Sequence, residues 1–392
     1  MKPLDGIKVI TLEHAIAAPF CTRQLADLGA RVIKIERPGS GDFARAYDER
    51  VRGMASHFVW CNRSKESVTL DVKAAPAQDI LDQLLAESDV LVQNLAPGAA
   101  DRLGLSFDAL HARYPKLIVC NISGYGSDGP YRDRKAYDLL IQSEAGFLSI
   151  TGSPDSPAKA GCSIADIAAG MYAYTNILAA LLQRGKTGLG RAIDVSMLES
   201  MVEWMSYPMY YAFEGATPPS RAGAAHATIY PYGPFPAGDG KTVMLGLQNE
   251  REWALFCEKV LRMPGIAVDP LFQSNSKRVA AREALRKIIV EVFSTLSSDE
   301  VIARLDDAQI ANSRMNEMAD VWAHAQLEAR KRWVTVSSPV GDLPALLPPG
   351  VDAPDDVRMD PVPGLGEHTD AVLAELGYSQ DSIRLLRAAS IV

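Results

Sequence analysis

Ile7-Lys-Val-Ile-Thr-Leu12, a helical pattern from about Pro19 to Leu28 ending at Gly29, and Arg31-Val-Ile-Lys-Ile-Glu36 read together as one compact βαβ unit. Two short apolar runs separated by a helix imply parallel strands with a right-handed crossover. The alternation continues. Ser67-Val-Thr-Leu70 is strand, Ala77 to Glu87 helix, Asp89-Val-Leu-Val-Gln-Asn94 strand, Ser106 to Arg113 helix, and Lys116-Leu-Ile-Val-Cys-Asn121 strand. The fold class expected is α/β, with a doubly wound, mostly parallel sheet in a large domain. Ligands of such sheets bind outside the carboxyl ends of the strands. The segments to inspect are therefore His14 to Ala18, Arg37 to Asp42, Asn94 to Gly98 and Ser123 to Pro130. The first strand is followed by His14-Ala-Ile-Ala-Ala-Pro19, not by Gly-x-Gly-x-x-Gly. Glu36 could mimic a ribose-binding acid, but the glycine fingerprint of a nicotinamide site is missing.

Further along, Cys162-Ser-Ile-Ala-Asp166-Ile-Ala-Ala-Gly170 precedes an uncharged run, Ile167 to Leu182, that stops at Gly185 and Gly188. Asp166 is thus placed near a helix N-terminus, where the partial positive charge is expected to lower its pKa. Ser163-x-x-Asp166 also fits a capping pattern, with both side chains satisfying orphan amides. Locally, capping is the stronger reading; a chemical role for the carboxylate stays open beside it.

Arg191-Ala-Ile-Asp-Val-Ser196 follows, then an apolar helix through about Tyr211. The Gly/Pro/Ala/Ser-rich stretch Glu214 to Ala227 reads as a linker, and helical patterns with a strand at Lys241 to Leu245 follow it. The expected organisation is a large Rossmann-like domain, 1–213 with 330–392, and a smaller α+β domain, 225–325. Segments 214–224 and 326–329 are the linkers.

The 392 residues include 47% hydrophobic and 22% charged residues, with a net charge of −8. This composition is globular rather than disordered, and the charge speaks against general nucleic-acid binding. No uninterrupted apolar run reaches 18 residues, so no membrane partner is expected. Five scattered cysteines form no Cys-x-x-Cys pair and six histidines form no cluster, so neither a disulfide framework nor a metal site is expected. The N-terminal Met1-Lys-Pro-Leu-Asp-Gly lacks an apolar signal core, and a reduced cytoplasm is the expected compartment.

Taken in order, the pieces resemble the class III CoA-transferase family, which includes formyl-CoA and carnitine CoA-transferases and the α-methylacyl-CoA racemases. They are Leu4-Asp-Gly-Ile-Lys-Val-Ile, Gln24 to Gly39, Gly41-Asp42, Asn62-Arg-Ser-Lys65, Asn94-Leu-Ala-Pro-Gly98, Asp101-Arg-Leu-Gly104, Ile122-Ser-Gly-Tyr-Gly126, Lys186-Thr-Gly-Leu-Gly190 and Leu365-Gly-Glu-His-Thr369. The resemblance implies that Asp166 is the catalytic carboxylate, able to form both an anhydride and a thioester. It implies coenzyme A or acyl-CoA as substrate, with no permanently bound cofactor. It also implies an interlocked homodimer, and a carboxylic acid as the second small-molecule partner.

On the same footing, His14, Ala15, Ala17, Arg37, Lys65, Asn94, Arg102, Tyr125 and Lys135 are CoA-binding candidates. Ile16, Tyr137, Asp138, His226 and Gln248 are substrate-pocket candidates. In the racemase branch a Gly-His-Asp segment supplies a second proton carrier; here Lys135-Ala-Tyr-Asp138 puts Tyr137 at the histidine position. A phenol with an ordinary pKa of about 10 is a poor base at neutral pH. This departure favours transfer. The region looks most similar to the branch acting on C4–C5 dicarboxylates such as succinate, itaconate, citramalate or glutarate. The expectation is transfer of CoA from succinyl-CoA to an acid such as itaconate. A racemase or isomerase using Asp166 as base, and a non-catalytic acyl-CoA binder, are the alternatives.

Overall fold

Near-continuous β-branched runs give the first unit its sheet, because parallel strands are covered on both faces. The computed structural model describes residues 1–392. Its strands β1 (Lys8–Leu12), β2 (Arg31–Glu36), β3 (Lys65–Thr69), β4 (Val90–Gln93), β5 (Ile118–Ser123) and β6 (Ala192–Ser196) lie in the order β3-β2-β1-β4-β5-β6. All five pairings are parallel, with Ile10 opposite Ile33 on one side and Leu91 on the other. The order reverses between β1 and β4, which is where a doubly wound sheet opens a ligand crevice.

The longer helices of this unit ahead of residue 206 are α1 (Ala17–Asp27), α2 (Ser56–Asn62), α3 (Ala75–Ala86), α4 (Phe107–Arg113), α5 (Asp138–Glu144), α6 (Ile164–Thr187) and α7 (Met197–Met205). Ile80 and Leu84 of α3 pack with Ile10, Ile33, Val68 and Leu91 in one buried cluster. Val372 and Ile383, from the C-terminal helices Thr369–Glu375 and Gln380–Ala388, join the same cluster. The sequence pattern gives a final helix over Glu367 to Leu376, which matches the first of these; the second carries no counterpart in that reading. By length and composition α6 is apolar enough to cross a membrane. Here it packs along α1, with Ala165, Ala169, Ala173 and Ile177 buried.

Gly170 fixes how close that packing is. A Cβ there would lie 2.7 Å from the Ala17 carbonyl oxygen and 3.0 Å from the Phe20 ring. Only glycine lets the two helices meet at this point, one turn past Asp166, so the meeting brings the start of α6 to the β1–α1 turn. Gly170→Ala is expected to lose about 1–3 kcal/mol of stability, as overpacking does, and to slow any chemistry at Asp166. Urea denaturation measures the first effect; an unchanged midpoint would contradict the contact.

The second unit comprises Gly146–Lys159 and Ser206–Gln326. Strands β7 (Tyr232–Pro236), β8 (Thr242–Gly246) and β9 (Ala311–Arg314) form an antiparallel sheet in the order β9-β8-β7. Helices α8 (Arg282–Phe293) and α9 (Ser298–Asp307) share its core through Phe235, Val243, Ile289, Phe293 and Leu305. The unit boundaries differ from the sequence expectation in two places. Segment 206–213 leaves the large unit because Ser206, at φ 46°, breaks the expected helix after Met205. Segment 146–159 leaves it because Arg221 Nε and Nη2 donate to the Ser153 and Pro154 carbonyls, and Gly223 N donates to Gly152 O. The first unit is then Met1–Ala145, Ala160–Met205 and Leu327–Val392.

Candidate active site

Asn94, just past β4, clamps the turn after β1. Its Oδ1 accepts the His14 amide and its Nδ2 donates to the His14 carbonyl, both at 2.9 Å. The side chain thus ties together the two flanks of the switch point. The next residue, Ala15, adopts φ 61° and donates its amide to Asp42 Oδ1 at 3.1 Å. Ile16 and Ala17 are buried, so this turn presents backbone more than side chain. His14 is partly exposed and stacks on Phe43 at 5.3 Å. Burial lowers its pKa, against the opposing pull of Asp42.

Beneath the turn lies a buried charge cluster. Glu13 Oε1 accepts from Lys65 Nζ at 2.6 Å and Lys34 Nζ at 3.3 Å, while its Oε2 accepts from the Thr11 and Thr22 hydroxyls. Lys34 Nζ also donates to Asp42 Oδ2 at 2.8 Å. Glu36 joins through the Asp42 amide and a two-pronged pair with Arg45. Two lysines against Glu13 and Asp42, with Glu36 against Arg45, balance to zero. Burial alone would raise the Glu13 carboxyl, yet Lys65 and Lys34 hold it down at about 2. Burial brings Lys65 down to about 8.

The cluster corrects one expectation. Lys65 is fully buried, and its ammonium is held by Glu13, the Pro19 carbonyl and Asn62 Oδ1. It cannot reach a CoA phosphate; it holds the floor of the turn. Neighbouring Arg63 is likewise committed, to Asp27 by two bonds of 2.7 and 2.8 Å.

Asp166 is the third helical residue of α6 and is half-buried. The expected capping pattern is not formed: the Ser163 side chain caps nothing, and the Asp166 carboxylate makes no hydrogen bond. Asp138, the first residue of α5, takes that role. Its Oδ1 accepts the Ala165 amide at 2.8 Å and the Asp166 amide at 3.4 Å. Its Oδ2 accepts from Gln142 Nε2 at 2.6 Å, and Gln142 Oε1 accepts the Ala160 amide at 2.9 Å.

The expected direction of the Asp166 pKa is therefore wrong. Burial, and then the Asp138 charge, push it up to about 7. The helix terminus does not offset this because its amides point at Asp138. Tyr47 stands in the same surroundings and is raised to about 12, first by burial and then by Asp42 and Asp166.

Of the remaining expected residues, Arg37, Arg102 and Lys135 are exposed and in no ion pair, free to meet an anion. Arg102 ends the short turn begun at Gly98 (φ 68°), where a Cβ would crowd its guanidinium at 3.0 Å. Tyr125 packs edge-on against Tyr131, and Tyr137 is 65% exposed beside Asp138. His226 and Gln248 belong to the second unit. The His226 Nδ1 accepts two backbone amides, Thr228 and Ile229, and the ring stacks on Tyr232. Only its Nε2 remains for a ligand. Gln248 is exposed, its amide bound to Glu252.

Sequence reasoning missed Glu13, Lys34, Tyr47 and Gln142. Lys34 did carry a signal: a lysine inside the buried run Val32-Ile33-Lys34-Ile35 requires a buried partner.

The model of CoA-transferase family III matches residues 4–369. The chain belongs to this family. As a family III CoA-transferase it is 33% identical over 397 residues to succinyl-CoA:glutarate CoA-transferase of Mus musculus, covering 100% of this chain and 91% of that one. It is 34% identical to succinate–glutarate CoA-transferase of Agrobacterium fabrum, with 95% and 96% covered. Among solved structures it is similar to a CAIB/BAIF family protein from Brucella suis, with a TM-score of 0.83, 35% identity, and 96% and 99% coverage. The family III CoA-transferase is thus an enzyme whose substrates are CoA thioesters.

Proposed function

We propose that this transferase moves CoA from succinyl-CoA to a C4–C5 dicarboxylic acid through covalent intermediates on Asp166. The observation that carries the reading is a half-buried carboxylate with no hydrogen bond and no cation beside it, one turn before the close contact of α6 with α1 at Gly170. Such a group is poorly stabilised as an anion and correspondingly nucleophilic. The relatives named above act on succinate and glutarate, which supports a short dicarboxylate at both stages; glutarate and itaconate both belong to that class.

In the first step an Asp166 carboxylate oxygen attacks the succinyl carbonyl. The C–S bond breaks, leaving an aspartyl–succinyl anhydride and CoA thiolate. The thiolate attacks the aspartyl carbonyl and expels succinate, forming an aspartyl–CoA thioester. The acceptor carboxylate attacks that carbonyl and releases the thiolate again. The thiolate then takes the acceptor's acyl carbon and regenerates the Asp166 carboxylate. Arg37, Arg102 and Lys135 are suited to CoA phosphates, as free cations past strand ends are.

The attacking form is the anion. With a pKa near 7, kcat/KM is expected to fall tenfold per pH unit well below that value and to level off above it. A rate flat to pH 5 would speak against Asp166 as attacking group. Incubation with succinyl-CoA, followed by hydroxylamine or borohydride, tests the intermediate directly through a mass change on the peptide carrying Asp166.

A pKa near 7 suits a general base equally well, which keeps a racemase in view. Exchange of the α-proton in heavy water without modification of Asp166 would favour it. Tyr207, Met209, Tyr210, Tyr211 and Phe213 are all about half exposed or more, Tyr210 at 81%. That apolar surface supports a homodimer, which light scattering would detect.

A further inference from the structure

Asp138 and Gln142 carry a role that the transfer chemistry does not itself name. A helix begins with orphan amides, and an acid at the third helical position ordinarily helps to satisfy them. In α6 that position is Asp166, yet its carboxylate takes none of them. The Ala165 and Asp166 amides are both given to Asp138 Oδ1. Asp138 is in turn braced at Oδ2 by Gln142, whose fully buried side chain reaches across to the Ala160 amide. Two side chains of α5 thus hold the segment leading into α6 at two points.

We propose that Asp138, braced by Gln142, is a positioning residue that occupies the α6 amides in place of Asp166 and so leaves the Asp166 carboxylate unbonded and free to attack. This rests on the covalent reading above. Two effects follow from one geometry. The start of α6 is tethered to α5, so the direction of the Asp166 side chain is set by a neighbouring element rather than by its own cap. The amide dipoles that would have steadied Asp166 as an anion are neutralised by a second carboxylate. The titratable groups facing Asp166 are Asp138 at the start of α5 and Tyr47 after β2, and Tyr137 faces Tyr47. The α1 residues at the crossing, Ala17 and Phe20, carry no charge.

The test is steady-state transfer from succinyl-CoA between pH 5.5 and 9, with hydroxylamine trapping, for wild type, Asp138→Ala, Asp138→Asn and Gln142→Ala. Asp138→Ala is expected to lower kcat about 10–100-fold, the cost of a misplaced group, with KM for the thioester within about threefold. Asp138→Asn keeps an acceptor for the amides and removes the charge. It should lose less kcat while its acid limb moves to lower pH. Gln142→Ala should lower kcat without moving that limb.

Circular dichroism checks folding; if the alanine variant at 138 does not fold, the other two carry the test. Wild-type kcat and acid limb in the Asp138 variants would overturn the proposal. So would a loss confined to stability, with the acid limb unmoved in Asp138→Asn. If wild type itself shows no label on Asp166, the covalent reading has failed. If it is labelled, and the variants are labelled equally fast, only the positioning role has failed.

Discussion

Asp166→Asn is expected to abolish CoA transfer, by at least about 10³-fold, and at the same time to make the protein more stable at pH 8. The first effect follows because an amide cannot attack a thioester to give an anhydride. The second follows from the raised pKa. The folded chain holds the Asp166 proton up to about pH 7, whereas the unfolded chain releases it near the ordinary value of 3.8. Below about pH 3 both states are protonated and the carboxyl costs nothing. Between those values the folded state pays increasingly as pH rises, and above about 7 the penalty is complete. The site is partly exposed, so the gain on substitution is put at about 1–3 kcal/mol at pH 8, vanishing near pH 3. Urea denaturation of both proteins at the two pH values measures it. A variant less stable than wild type at pH 8 would contradict the electrostatic account of the site.

Lys65→Met has the opposite signature. The ammonium supplies the shortest ion pair to Glu13, at 2.6 Å, in a fully buried setting. Removing it leaves Glu13 with Lys34 at 3.3 Å and Lys34 shared with Asp42. Breaking a buried pair by deleting one partner typically costs about 3–5 kcal/mol, because the other charge remains buried. Stability should fall by that amount. Activity should fall with it, because Asp42 and Glu13 support the turn carrying His14 and Ala15. The double variant Glu13→Gln, Lys65→Met should recover part of the loss, since no uncompensated anion then remains. A single variant as stable as wild type, or a double variant that recovers nothing, would show that the cluster is not coupled as its geometry requires.

Much of the fold was legible because its signals are local. The run from Ile7 to Glu36 specifies strand, helix and strand by periodicity alone, and β1, α1 and β2 lie within two residues of that reading. The strand-end rule led to Asn94 and the His14 turn before any geometry was known. What the sequence hid was long-range. Asn94 and His14 are 80 positions apart, and Ser163-x-x-Asp166 looked self-sufficient as a cap. Nothing in that tetrad shows that Asp138, 27 residues earlier, claims its amides. The sign of the Asp166 pKa was missed for that reason. A helix terminus lowers a carboxyl's pKa only when its amides are free to do so. Lys65 was misplaced because exposure is the usual state of a lysine, and only the packed cluster shows the exception. The break at Ser206 was missed because Tyr207 to Tyr211 continue the apolar pattern across it.

Tyr137 stands next to the residue that anchors α6, yet its side chain is 65% exposed and joins no hydrogen bond. Only its backbone is engaged, through its carbonyl oxygen, which accepts the Leu140 and Ile141 amides. The architecture therefore exerts almost no selection on what side chain stands there. A change at such a surface position ordinarily shifts stability by less than about 0.5 kcal/mol. Asp138, by contrast, is held by the Ala165 and Asp166 amides and by Gln142. Variation over generations can sample the position next to Asp138 while the scaffold stays intact, and a different proton-carrying side chain could enter at 137 without any rebuilding. Position 137 thus admits a change of side chain at little cost to the fold.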